Sequence, residues 1–224
     1  MIITIDGPAG SGKSAAAELL AQSLKIRHLD TGAMYRAVTL QAYNMGLFDT
    51  PYRDAELGTI AVNMKLTFDW NTQPAKILLA GQDVSNALRR PEITELVHWA
   101  ADNTAVRAEL VQRQRSIAAA FGDLVTEGRD QGTLVFPDAD YKFYLDADIQ
   151  ERVRRRRAEL DRKGLLVEAS KLLSDMIERD QRDRERPVGT LKLPPDAIVL
   201  DTTTMTLPEV VATLVKIIGN NTHG

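Results

Sequence analysis

The sequence predicts an α/β fold with a five-stranded, mostly parallel sheet flanked by helices. Two observations carry this. Short apolar, β-branched runs alternate with helical stretches along the 224 residues, which is the βαβ pattern of an open parallel sheet. The composition, 44% apolar and 26% charged, is that of an ordinary globular protein, long enough for one large domain and short for two.

The elements follow in order. Residues 1–5, Met-Ile-Ile-Thr-Ile, stop at Asp6-Gly7 and suit a strand buried on both faces. Residues 14–24 are rich in Ala and Leu, lack Gly and Pro, and read as a helix. Residues 26–29 form a second strand closed by Asp30-Thr31-Gly32, with a helix over 33–43. Further strands are expected at 124–127, 141–145 and 197–200, and right-handed crossovers restrict them to a few doubly wound orders.

Two segments break the alternation. Residues 65–70 and 75–79 flank Asn71-Thr72-Gln73-Pro74, a turn signal, so a small hairpin is inserted there. Residues 151–187 hold 12 Lys+Arg and 9 Asp+Glu, with a basic knot at Arg152 and at Arg154, Arg155, Arg156 and Arg157. They read as two helices joined near Lys163-Gly164-Leu165. Residues 220–224 are expected to fray.

Composition excludes several functions. With 28 Lys+Arg against 31 Asp+Glu the net charge is -3, which disfavours gripping a nucleic-acid polymer. The absence of cysteine removes disulfides, cysteine zinc sites and cysteine nucleophiles. His28, His98 and His223 are too widely spaced to suggest a metal cluster. The longest unbroken apolar run, residues 117–121, is far below a membrane span, and the first residues show no basic region followed by an apolar stretch, so secretion is not expected. The expectation is a cytoplasmic monomer that binds neither membrane nor nucleic acid.

The strongest local signal is Gly7-Pro8-Ala9-Gly10-Ser11-Gly12-Lys13-Ser14, which satisfies G-x-x-x-x-G-K-[ST] between an expected strand and an expected helix. Its glycines let successive N–H groups turn inward toward phosphate oxygens. The helix N-terminus adds partial positive charge. Lys13 bridges β- and γ-phosphate oxygens and the Ser14 hydroxyl is the candidate Mg²⁺ ligand. The guanine-reading N-K-x-D of GTPases is missing. Three more stretches look chemical: residues 28–36 and 127–133, each at a strand's carboxyl end, and the Arg-Asp alternation of residues 178–187.

With these motifs, and with Val106-Arg107, Gln112-Arg113-Gln114-Arg115, Val135-Phe136-Pro137 and Gly81-Gln82-Asp83-Val84-Ser85, the chain resembles the bacterial cytidylate kinases, which are P-loop nucleoside-monophosphate kinases, over nearly its full length. The resemblance implies transfer of the ATP γ-phosphoryl group to CMP or dCMP with Mg²⁺. It implies a P-loop kinase core (residues 1–30, 104–150 and 188–224), a monophosphate-binding part (31–103, including the hairpin at 64–80) and a helical lid (151–187). Lys13, Arg129 and Arg186 would be catalytic. Gly7 to Ala15 would hold ATP together with Arg155 or Arg156 from the lid. Thr31, Tyr35, Arg36, Arg129 and Arg186 would face the acceptor nucleotide and its phosphate. Arg107, Asp130 and His98 would read cytosine, and Arg179 and Asp183 would meet the ribose. Physical chemistry agrees: a carboxylate accepts from the cytosine amino group and repels the uracil oxygen, and guanidinium forks offset the repulsion of two anions.

Three positions depart from the family pattern: Ala15 stands where Thr is usual, Glu127 where Asp is usual, and His98 where Ser is common. Most of Arg154 to Arg157 read as a solvated face paired with Glu151, Glu159 and Asp161. His28 reads as structural, and Trp99 and Phe121 as core residues. Asp30 is either a cap or a ligand-facing carboxylate. Two rivals stay open: a kinase for UMP or another phosphorylated metabolite, and a nucleotide-dependent switch.

Overall fold

The computed structural model describes residues 1–51, 53–162 and 164–221. In chain order they form β1 (Ile2–Asp6), α1 (Lys13–Leu24), β2 (Arg27–Asp30), α2 (Thr31–Asn44), α3 (Arg53–Asn63), β3 (Leu66–Asp69), β4 (Lys76–Leu79), β5 (Gln82–Asp83), α4 (Pro91–Asp102), α5 (Thr104–Phe121), β6 (Leu124–Gly128), β7 (Tyr141–Asp146), α6 (Ile149–Arg162), α7 (Ala169–Glu185), β8 (Ile198–Asp201) and α8 (Leu207–Asn221). A π-turn at Gln131–Val135 follows β6. The chain divides into two compact units, Met1–His28 with Asp123–Gly224, and Leu29–Gly122.

The first unit is built on a five-stranded sheet of order β2-β6-β1-β7-β8. β1 pairs in parallel with both β6 and β7, and β7 with β8. Each strand predicted from its apolar run is present, within a residue or so of its expected limits. β1 is central, so its carboxyl end opens where an α/β sheet places ligands. Ile3 and Ile5 of β1, Val125 of β6, and Phe143 and Leu145 of β7 share one core with α1 and α8. From α1 come Ala16, Ala17, Leu20 and Ala21, and from α8 Val210, Leu214 and Ile218, the i, i+4, i+8 stripe of a helix with one buried face. α6 and α7 have a small core of their own in Val153, Leu172 and Met176.

The second unit packs α2 against α3 and α4, and α3 against α5. Arg113 of α5 secures this arrangement by donating to the carbonyls of Val62 and Met64, both at 2.8 Å. The expected hairpin is here a three-stranded antiparallel sheet, β3-β4-β5. The third strand is only two residues long and follows Ala80-Gly81, both with positive φ (50° and 82°), as a tight two-residue hairpin turn requires. So short a strand leaves no periodic signal in the sequence.

Other expectations need correction. Trp99 and Phe121 are 36% and 43% exposed, not core. Trp99 is covered instead by the Arg53 guanidinium, 3.3 Å above its ring, and Phe121 meets Trp70 edge-on at 4.8 Å. Their apolar bodies are shielded by neighbouring side chains at the surface. α8 continues through Asn221, so residues 220 and 221 are helical; Thr222, His223 and Gly224 lie outside the described residues. α6 ends at Arg162 and α7 starts at Ala169, a longer joint than expected; Lys163 lies outside the described residues. Residues 104–122 fall in the second unit.

Leu214 is fully buried in the core of the first unit. Replacing it with Ala is expected to cost about 2–5 kcal/mol. Urea unfolding followed by circular dichroism checks this, with a lower midpoint and an unchanged slope.

Candidate active site

The loop after β1 folds around its own lysine. Gly7 has φ +151°, and a Cβ there would run into the Leu145 carbonyl, so glycine is required for the chain to pass β7. Gly12, with φ 89°, caps α1 without a side chain. Lys13, the first residue of α1, is 6% exposed, and its Nζ donates to the Pro8 carbonyl at 3.2 Å. Ser11 Oγ is buried with no hydrogen-bond partner among the described residues, an orphaned donor suited to an anionic oxygen. Burial pushes Lys13 down to about 7, reinforced by Arg129 and Arg179 and opposed by Glu127 and Asp183. A phosphate chain would reverse that penalty by supplying anions. Ser14 Oγ donates to Glu127 Oε1 at 3.0 Å, which puts a hydroxyl and a carboxylate side by side. Ala15 is exposed.

Beside Lys13 stands a cage of arginines around one carboxylate. Asp183, on α7, accepts from Arg129 Nε at 2.6 Å and from Arg186 Nη2. Burial opposes its ionisation, but Arg129, Arg186 and Arg179 outweigh that and hold its carboxyl below the usual range. Each of its oxygens is engaged by an arginine, so Asp183 serves here as the anchor that aims Arg129 and Arg186. Arg179 is half-buried one helical turn earlier. Arg129 and Asp130 follow β6 directly, and Asp130 is 4% exposed.

A second tie leaves no signal in sequence spacing. Arg152, one of the basic knot, is 6% exposed, and Asp180 is 4% exposed. Arg152 Nη1 donates to Asp180 Oδ2 at 2.6 Å and to the Ala9 carbonyl at 3.0 Å, while the Ala9 amide lies 3.4 Å from Asp180 Oδ1. α6 and α7 are thereby fastened to the phosphate loop. The partners lie 28 residues apart, so no local pattern announces them. Of the remaining knot, Arg154 pairs with Glu151 and Arg156 with Glu159, as expected of a solvated face. Arg155 pairs with Glu151 and donates to the Thr202 hydroxyl and carbonyl; the Thr202 hydroxyl in turn donates to the Ser11 carbonyl at 3.2 Å. Arg155 therefore braces the loop from behind.

In the second unit, Asp30 Oδ1 accepts from the Ala33 amide at 2.9 Å and caps α2, with Thr31 buried as its first residue. Tyr35 is 8% exposed, and the Arg107 guanidinium lies 5.3 Å from its ring centroid. Arg107 is itself buried and donates to the Ala101 carbonyl at 3.0 Å. Arg36 donates to the Leu88 carbonyl and to Thr94 Oγ1. His98 Nδ1 lies 2.8 Å from the Glu95 carbonyl. A carbonyl only accepts, so Nδ1 carries the proton and Nε2 of a neutral ring is an acceptor. His28 is a half-buried strand residue.

The depressed carboxyl of Asp183 has a pH consequence. Its ionised form stabilises the fold above the unfolded carboxyl value, near 3.8, and that contribution is lost as pH falls through the lower folded value. Asp183→Asn is expected to cost about 3–5 kcal/mol at pH 7, because two buried guanidinium groups lose their anion. The gap to the unmodified protein should hold down to about pH 4 and close below it, as urea unfolding at successive pH values would read.

Among the described residues no three His, Asp or Glu side chains cluster as a metal cage, and no helix is long and apolar enough to cross a membrane. The family model described as cytidylate kinase matches residues 3–220. A cytidylate kinase of Vibrio parahaemolyticus is 45% identical over 94% of this chain and 92% of its own. One of Aeromonas salmonicida is 41% identical over 95% and 91%. In structure, an uncharacterized protein from Eubacterium ventriosum aligns with a TM-score of 0.55 at 13% identity over 98% of both chains, a likeness of fold alone. A phosphate loop on its buried lysine, arginines caged beside it, and sequence identity along nearly the whole length lead to one conclusion: the chain belongs to the cytidylate kinase family, ATP-dependent phosphotransferases that phosphorylate CMP and dCMP.

Proposed function

We propose that this chain transfers the γ-phosphoryl group of ATP to the 5′-phosphate of CMP or dCMP, working as a cytoplasmic monomer on free nucleotides. The observation that carries the mechanism is the company of Lys13: Arg129 and Arg179 press on its charge while Glu127 and Asp183 balance it. Such a cluster of cations fits the triphosphate of ATP and the single phosphate of the acceptor brought together.

The residues divide the work. The amides of the loop from Gly7 to Ser14 and the Lys13 ammonium hold the β- and γ-phosphates of ATP. Arg129 and Arg186, aimed by Asp183, hold the acceptor phosphate. Tyr35 and Arg36 complete the acceptor set, with Thr31 at the head of the same helix. Asp130 reads cytosine by accepting from its amino group, and Arg107 and His98 are the base-reading candidates of the second unit. Arg179 meets the ribose. An oxygen of the acceptor phosphate attacks the γ-phosphorus, the bond to the β–γ bridging oxygen breaks, and ADP leaves. No protein nucleophile is required, since positioning and charge neutralisation dominate this reaction. The adjacent Ser14 hydroxyl and Glu127 carboxylate fit Mg²⁺, a hard cation that takes oxygen ligands. When bound it neutralises phosphate charge. Residues 151–187 act as the lid that excludes water, anchored at Arg152 and Asp180.

Lys13→Ala is expected to lower kcat by about 10³-fold or more with the circular dichroism spectrum unchanged. A coupled assay of ADP release with CMP, dCMP, UMP, AMP and no acceptor reads this and the substrate choice together; equal turnover without acceptor would favour a switch. Asp130→Asn is expected to lower the ratio of kcat/KM for CMP over UMP by about tenfold or more, because an amide can donate to the uracil oxygen. An unchanged ratio would remove Asp130 from base reading.

A further inference from the structure

A buried carboxylate that the mechanism above does not use sits at the end of β1. Asp6 is 0% exposed. Its two oxygens each accept one main-chain amide, Gln131 N–H on Oδ1 at 2.9 Å and Gly132 N–H on Oδ2 at 2.8 Å. These amides open the π-turn at Gln131–Val135, the two residues directly after Arg129-Asp130. Asp6 is also the residue directly before the phosphate loop. The turn is gripped from other sides too: the Thr126 hydroxyl donates to Gln131 Oε1 at 2.8 Å. A Cβ on Gly132 would lie 3.0 Å from Pro194, 3.1 Å from Thr4 Oγ1 and 3.4 Å from Asp6 Oδ2.

We infer that Asp6 is a positioning residue for phosphoryl transfer: its carboxylate latches the turn that carries Arg129 to the strand that launches the phosphate loop. The inference rests on the functional reading above and deepens it. Burial pushes Asp6 up to about 7, while the two amides and Arg129 pull the other way; in the ionised form both oxygens are acceptors, so two amides are fixed by one rigid plane. The latch spans 125 residues of sequence but only one strand-to-turn step in space. Small displacements of Arg129 against the phosphate loop then cost rate rather than ATP affinity, because the loop's own amides are untouched.

Asp6→Asn tests this, since the amide keeps the size of the side chain but turns one acceptor into a donor facing an N–H. We expect kcat for CMP to fall about 10–100-fold, with the affinity for a non-hydrolysable ATP analogue changed less than about threefold. The decisive readout is a double-mutant cycle with Arg129→Ala. If Asp6 acts through Arg129, its substitution lowers kcat by less than about threefold in the Arg129→Ala background. An equal loss in both backgrounds, or a kcat within twofold of the unmodified enzyme, overturns the inference. Should Asp6→Asn not fold, Gly132→Ala loosens the same latch without changing a charge; the same loss of kcat at kept ATP affinity supports the inference, and full activity overturns it. Unmodified protein without CMP-dependent ADP release overturns the functional reading and this inference together, whereas full turnover by the variants beside an active parent overturns only the inference.

Discussion

The structure depends on one electrostatic constraint: Lys13 is buried among other cations. Lys13 is 6% exposed; burial, Arg129 and Arg179 push it down to about 7, and Glu127 and Asp183 oppose that shift. Each of those carboxylates is in turn committed elsewhere, Glu127 to the Ser14 hydroxyl and Asp183 to Arg129 and Arg186. The groups that would face phosphate are thus held in place before any nucleotide arrives. Such preorganisation is what positioning catalysis requires, since the cost of assembling like charges is met in folding rather than during turnover.

Fastening the charged helices follows from the same constraint. The Arg152–Asp180 pair is buried, and burying two ions is rarely favourable unless their remaining valences are met. Here the carbonyls of Ala9 and Ala147 take two further N–H groups of the guanidinium, and the Ala9 amide faces the carboxylate. The pair therefore joins α6, α7 and the phosphate loop at one point. Asp6, the residue before the loop, does the corresponding work through the turn after β6. Two buried carboxylates register the loop against the elements that carry its arginines.

Much of this was legible in the chain. The apolar runs gave the strands because a parallel sheet buried on both faces needs continuous β-branched stretches. The phosphate loop was legible because its spacing is dictated by backbone geometry rather than by partners. Surface pairs such as Arg154–Glu151 and Arg156–Glu159 followed from helical spacing. Trp99 and Phe121 differ from expectation because hydrophobicity alone does not say whether an aromatic ring is covered by a core or by one neighbouring side chain. β5 was missed because two residues carry no period.

By itself the sequence determined the class of fold, the phosphate loop and the inventory of arginines, all properties set by neighbours within a few residues. The tertiary structure decided which charges are buried together: Arg152 with Asp180, Asp183 with two arginines, Asp6 with two amides. Those pairings join residues 28 to 126 positions apart or depend on which side of a helix faces a wall. Desolvation acts on distance in space, and the order of residues along the chain does not encode it locally.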